Sequence, residues 1–181
     1  MIEIVELKEK DFPNGKKVRF SYDSEKYYDV ISENNASNWS VHMELKEFDK
    51  PVHKSMVVEI FQDYKPDLEC FALLKNDTEA GIISFNHEKW NNVVRIWDLY
   101  IQKEYQRIGI GRRLMDIALH LAKELEARAL VLETQTSNYP AIQFYLKYGF
   151  RFRGIDTINY TNQDILRKEV RLEMGLLLNE D

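Results

Sequence analysis

The sequence predicts a mixed α/β domain, and three stretches predict it. Val93–Ile101 (VVRIWDLYI) is nearly continuous in apolar residues, as expected of a central strand buried on both faces. A glycine-bearing turn follows, then a long amphipathic helix from Gly109 to about Glu126. Its stripe is Leu114, Ala118, Leu121 and Leu125, widened by Met115 and Ala122. Ala129–Glu133 is again strand-like, and a strand–helix–strand crossover makes its two strands parallel neighbours.

The other elements are read in order around this unit. Lys17–Ser24 alternates Val18, Phe20 and Tyr22 as a strand does. Ser32–Asn38 carries turn chemistry, and Trp39–Phe48 reads as a second strand or short packing segment, broken by Asp49-Lys50-Pro51. In Val52–Tyr64 the apolar residues Met56, Val57, Ile60, Phe61 and Tyr64 lie close to an i, i+4, i+8 stripe. That predicts a helix ending before Pro66. Leu68–Leu74 and Ala80–Phe85 predict a hairpin joined by Lys75–Glu79, and His87–Asn92 turns the chain into the central strand. Asn138–Tyr148 places Ala141, Phe144, Tyr145 and Tyr148 on one helical face, with Pro140 in its first turn and Gly149 as its stop. Phe150–Tyr160 and Glu169–Leu178 are the last strands, with a loop over Tyr160–Asp164.

Composition narrows the function. With 181 residues and no repeat, low-complexity segment or linker, the chain is read as one domain, residues 1–181. A net charge of −5 argues against nucleic acid and suits a cationic partner. The apolar runs are too short for a membrane span, and the N-terminus lacks a signal-peptide pattern. Cys70 is the only cysteine and reads as a buried strand residue, and the four histidines lack ligand spacing, so no metal site is expected. A cytoplasmic protein is the simplest account of these features.

Gln106-Arg107-Ile108-Gly109-Ile110-Gly111 stands between the central strand and the long helix. The first N–H groups of a helix lack intrahelical partners and its dipole is positive there, so the unit suits an anion. Arg112 and Arg113 in the first turn oppose the dipole, an objection that a bound phosphate removes; the alternative is a pair of solvated surface arginines. No Lys-Ser/Thr follows the glycines, which excludes a P-loop, and the spacing is not that of a dinucleotide fingerprint.

The turn resembles the acyl-CoA-binding motif of the GNAT acetyltransferase family. A second block, Leu132-Glu133-Thr134-Gln135, Asn138, Ala141, Phe144-Tyr145 and Gly149-Phe150, resembles that family's following strand and helix. Within it, Leu132–Gln135, Asp156-Thr157, Tyr160 and Lys89-Trp90-Asn91 further resemble streptothricin acetyltransferases. The resemblance implies a central twisted, mostly antiparallel sheet, splayed at the parallel pair around acetyl-CoA and flanked by helices. It implies backbone donors from Ile108 to Arg112 on the CoA diphosphate, with Gln106 and Arg107 in the same motif. It also implies that Leu99, Tyr100 and Ile101 on the central strand serve the acyl group, and that Asn138, Phe144 and Tyr145 stand beside the cosubstrate.

The implied chemistry is acetyl transfer to a primary amine. A lysine-type amine has a pKa of about 10.4, so only about one in a thousand is neutral near physiological pH, and a nearby carboxylate can draw it in and take its proton, directly or through water. Glu133 and Asp98 are the two candidates. Asp98 interrupts an apolar strand, and its bland reading is an ion pair with Arg95 or another nearby cation. Tyr145 matches the family's acid for the departing thiolate, and Asn138 reads equally as a helix cap. Trp90, Asp156 and Tyr160, with Asp98 and Glu133, are expected on the substrate side. The expected acceptor is the β-lysine amino group of streptothricin. A polyamine or protein lysine is the rival within the class, and a non-catalytic acetyl-CoA-binding module the rival outside it. A homodimer through the terminal strands is a further expectation.

Overall fold

The computed structural model describes residues 1–178. Its elements are β1 (Ile2–Glu6), β2 (Lys17–Asn34), β3 (Trp39–Glu59), β4 (Glu69–Lys75), β5 (Thr78–Glu88), β6 (Val93–Ile101), α1 (Ile110–Glu124), β7 (Ala129–Gln135), α2 (Tyr139–Tyr148), β8 (Arg151–Asp156), α3 (Asp164–Arg167) and β9 (Arg171–Leu177). The fold is the mixed α/β class that the sequence predicts. The described residues form two compact units, one of residues 1–20, 56–132 and 175–178, the other of 21–55 and 133–174.

In the first unit the strand order is β1-β4-β5-β6-β7. The β1–β4, β4–β5 and β5–β6 pairs are antiparallel, and β6–β7 is parallel from Val93↔Ala129 to Ile96↔Leu132. The β4–β5 hairpin closes on Asn76 and Asp77, both at positive φ (50° and 62°), the residue types that tolerate it best after glycine. α1 lies on β4, β5 and β6. Leu114, Met115, Ala118 and Ala122 are fully buried, whereas Leu125 caps the C-terminus and is 38% exposed, so the expected stripe stops one turn early. Val18, Ile60, Cys70, Ala72 and Ile82 form a neighbouring core cluster. Burial pushes the Cys70 thiol up to about 12, which leaves it inert as a nucleophile.

In the second unit β7, β9 and β8 are adjacent in that order, and β2 pairs with β3 as a two-stranded ribbon. Asn138 caps α2 by accepting from the Ala141 N–H (3.3 Å), Pro140 lies in the first turn, and Gly149 ends the helix at φ 122°. The Tyr145 carbonyl takes the N–H groups of both Gly149 and Phe150 (3.1 and 3.0 Å), which turns the chain into β8.

Three expectations fail. Val52–Tyr64 is not a helix: β3 runs through Asp49-Lys50-Pro51 to Glu59, and Met56 and Val57 are 47% and 53% exposed. A two-stranded ribbon has a free edge on each strand, where proline removes no ladder bond. β2 is far longer than Lys17–Ser24: burial alternates from Val18 to Ser24, but residues 26–29 are all half-buried, so no two-residue period marks the second half of the strand. The strand after Phe150 stops at Asp156, whose Oδ1 accepts from the Ile158 N–H (3.0 Å), and α3 begins at Asp164, the last residue of the expected loop. β1 had no sequence counterpart.

Candidate active site

The expected site residues fall into two groups, one in each unit. In the first, β6 ends at Ile101 and the chain passes through a short 3-10 turn (Lys103–Tyr105) to the exposed turn Gln106–Gly109. Gln106 Nε2 donates to the Ile101 carbonyl at 3.2 Å, tying the turn to the strand end. Arg107 and Gly109 both have positive φ, 62° and 92°. Gly109 is the N-cap of α1, and a Cβ there would meet nothing within 4 Å. The glycine therefore serves the left-handed conformation and leaves open space before the helix. Ile110 is buried and anchors the first turn, while Ile108 is 53% exposed. No acidic residue lies in that first turn, and Arg112 and Arg113 are exposed. Open space, first-turn N–H groups and three exposed arginines, Arg107, Arg112 and Arg113, fit a diphosphate.

Asp98 is almost fully buried in β6. Its Oδ2 accepts from Lys65 Nζ (2.8 Å) and from the Ser84 hydroxyl. The ion pair weighed for Asp98 exists, but with Lys65. Arg95 pairs instead with Glu88 at 2.6 Å. Nothing local marks Lys65 as the partner among the chain's 25 lysines and arginines. Trp90 is 86% exposed in the turn before β6.

The second unit brings Glu133 and Tyr160 together. The Tyr160 hydroxyl donates to Glu133 Oε1 at 3.0 Å, and Arg171 Nε meets Glu133 Oε2 at 3.0 Å. Burial and the neighbouring Glu133 raise the Tyr160 pKa, which keeps its hydroxyl a donor. Arg171 also donates to Glu173 and, through Nη1, to Asn159 at 2.9 Å. The sequence reading missed Arg171, which stands thirty-eight residues from Glu133 and becomes its neighbour only through the strand order β7-β9. The Tyr160 loop is held by Asp164, itself fully buried, which accepts from the Tyr160 N–H (2.8 Å), the Thr161 N–H (2.7 Å) and the Thr161 hydroxyl (2.8 Å). Those bonds hold the Asp164 carboxyl below its ordinary pKa although burial acts the other way.

On α2, Tyr145 packs its half-buried ring against Phe144 (centroids 5.6 Å apart) and Phe150 (6.0 Å), and desolvation pushes its pKa up to about 12. Asp156, at the end of β8, lines an open groove of about 390 Å³ together with Ser32, Asn34, Trp39, Val41 and Thr157. Trp39, 82% exposed, was not singled out by the sequence. Among the described residues no group of three His, Cys, Asp or Glu is arranged to hold a metal ion, and no helix is long and apolar enough to cross a membrane.

Comparison with known proteins places these features in context. The family model described as the acetyltransferase (GNAT) family matches residues 9–150. Streptothricin acetyltransferase A of Bacillus subtilis (strain 168) is 38% identical over 73 residues. The match covers 40% of this chain and 42% of that protein, less than half its length. The crystal structure of nourseothricin acetyltransferase superposes with a TM-score of 0.79 at 25% identity, covering 98% of this chain and 99% of that one. A structure from Bacillus anthracis str. Ames in complex with acetyl coenzyme A gives a TM-score of 0.76 at 25% identity, covering 99% of this chain and 98% of that one.

Proposed function

The chain belongs to the GNAT acetyltransferase family, and from that premise we propose that it transfers the acetyl group of acetyl-CoA directly to a primary amine, the β-lysine amino group of streptothricin. The observation that carries the cosubstrate is the turn before α1, where Gly109 at φ 92° opens the helix end and Arg107, Arg112 and Arg113 supply charge. The similarity to a streptothricin acetyltransferase and to nourseothricin acetyltransferase supports the acceptor.

In this reading the backbone of Leu99–Ile101 hydrogen-bonds the thioester oxygen as it gains charge. Glu133 draws in the substrate ammonium and accepts its proton, directly or through a water. Its two oxygens already accept from Tyr160 and Arg171, yet a carboxylate has about four acceptor sites. Asp98 is almost fully buried with Lys65 and Ser84, whereas the Glu133 side chain is 39% exposed, so proton transfer is assigned to Glu133 alone. The new N–C bond forms, the C–S bond breaks, and the Tyr145 hydroxyl donates to the departing sulfur. Phe144, packed against Tyr145, and Asn138 at the α2 N-cap are assigned to the cosubstrate, and Asp156 and Tyr160 to the acceptor; Trp90, in the turn beside the C-terminal end of α1, stands at the opposite end of β6 from Ile101.

Incubation with acetyl-CoA and streptothricin tests the reading: the antibiotic gains one acetyl mass and free CoA appears. An unaltered mass with turnover on a polyamine or a lysine peptide would move the activity to that acceptor. No CoA release with any amine would end the enzymatic reading. Gly109→Ala tests the turn. A side chain at φ 92° strains the backbone by about 1 kcal/mol without a clash, so the fold survives while the KM for acetyl-CoA rises about ten-fold. An unchanged KM removes the turn from cosubstrate binding.

A further inference from the structure

A buried ion pair sits at an irregularity in β6. The β5–β6 ladder runs from Gly81↔Ile101 to Ser84↔Asp98 and resumes at Phe85↔Ile96, so Trp97 is an extra residue, a β-bulge. Asp98 follows it directly and is opposite Ser84, whose hydroxyl donates to its carboxylate. Lys65 Nζ donates to Asp98 Oδ2 at 2.8 Å and to the Ile60 carbonyl at 3.2 Å. The Lys65 and Asp98 side chains are only 3% and 5% exposed, and Ser84 is fully buried.

The residues beside Lys65 hold Trp97 as well. The Tyr64 ring meets the Trp97 ring edge-on at 5.9 Å. Trp97 Nε1 donates to Asn86 Oδ1 at 2.8 Å, and Asn86 Nδ2 donates to the Pro66 carbonyl at 3.0 Å. Tyr64, Lys65 and Pro66, three consecutive residues outside the strands, therefore all grip the bulge.

Stability does not account for the pair. Desolvating two charges consumes most of what their attraction returns, and apolar residues of similar volume often hold a core as well. Directional bonds do what an apolar filling cannot: they select Asp98, and not Trp97 or Leu99, as the residue opposite Ser84. A bulge re-aims the strand beyond it. We propose that Lys65 and Asp98, with Ser84, are positioning residues that fix the bulge and so aim the Leu99–Ile101 backbone at the thioester. The target of that aim rests on the acetyl-transfer reading above; the fixing of the bulge does not.

The test is the double variant Lys65→Met/Asp98→Leu, which removes both charges and strands neither. Acetyl-CoA affinity is read by calorimetry, turnover by CoA release, and backbone order by amide hydrogen exchange. The expected variant is folded and binds acetyl-CoA within about three-fold of wild type, yet loses about ten-fold or more in kcat. Amide exchange at Leu99–Ile101 quickens about ten-fold relative to Val93–Ile96. A folded double variant with wild-type exchange at Leu99–Ile101 overturns the proposal. If wild type turns over no amine, the acetyl-transfer reading falls, and amide exchange alone decides the pair. If the double variant does not fold, Ser84→Ala takes its place: faster exchange at Leu99–Ile101 supports the proposal and wild-type exchange overturns it.

Discussion

Tyr145→Phe lowers kcat by about 10- to 100-fold and leaves the KM for acetyl-CoA within about two-fold of wild type. The magnitude follows from what a tyrosine can do here. With its pKa pushed up to about 12, the hydroxyl is a weaker acid than an ordinary thiol at about 8.5, so it is not a strong proton donor to sulfur. It acts first as a hydrogen-bond donor to sulfur as negative charge develops, and a hydrogen bond to a charged group contributes about 1.5–3 kcal/mol. That range converts to the stated loss at about 1.4 kcal/mol per decade. Phenylalanine keeps the ring contacts with Phe144 and Phe150, so the fold is retained and the loss appears in kcat rather than in binding.

The same pKa gives a pH dependence with a definite sign. The hydroxyl stays protonated through the neutral and mildly alkaline range, so wild-type turnover rises with pH as the amine loses its proton, and Tyr145 imposes no fall below about pH 11. For stability, the folded pKa lies above the unfolded value of 10. The contribution of Tyr145 is fully present below pH 10 and is lost as pH rises toward 12. Tyr145→Phe lacks this group, so between pH 10 and 12 its melting temperature falls less steeply than that of wild type. A variant with wild-type kcat removes Tyr145 from the reaction.

What the sequence could reveal follows physical range. β6, α1, β7 and α2 were legible because each carries its own signal: an apolar run, a 3.6-residue stripe, a cap and a stop. Those elements also hold the glycine turn, Glu133, Asn138 and Tyr145, so the candidate site was largely visible. The ribbon was not, because a polar residue, Ser24, fills a buried position of β2 and residues 26–29 beyond it are all half-buried, so no two-residue period carries through the strand. The partners of the site carboxylates were invisible for another reason. Lys65 reaches Asp98 across thirty-three residues and Arg171 reaches Glu133 across thirty-eight, and pairings at such separations are set by topology. Asp98 announced only that it needed a cation, since a buried carboxylate must be paired.

Gly81 is another position that local pattern could not flag, and its substitution has the second large effect. Gly81→Ala lowers stability by about 2–3 kcal/mol and turnover by about 100-fold. Gly81 faces Ile101 in the β5–β6 ladder. A Cβ built there lies 2.6 Å from the Tyr100 carbonyl oxygen and 3.0 Å from Leu114 Cδ1. The first of these is main chain and cannot swing aside, so β6 itself must shift, toward the end that carries Leu99–Ile101. The second presses on α1 through a fully buried leucine, at the helix whose N-terminus follows the glycine turn. Displacing reacting groups by about 1 Å costs about 100-fold, which is why activity falls further than stability alone requires. Gly154→Ala is the control: its Cβ would lie 3.6 Å from Glu173 Cβ, ordinary contact, and stability should move by no more than about 0.5 kcal/mol. Thermal melting and CoA-release assays on the two variants separate the cases. Equal behaviour of Gly81→Ala and Gly154→Ala would mean that β6 tolerates displacement at Tyr100, and the role given to its backbone would have to be withdrawn.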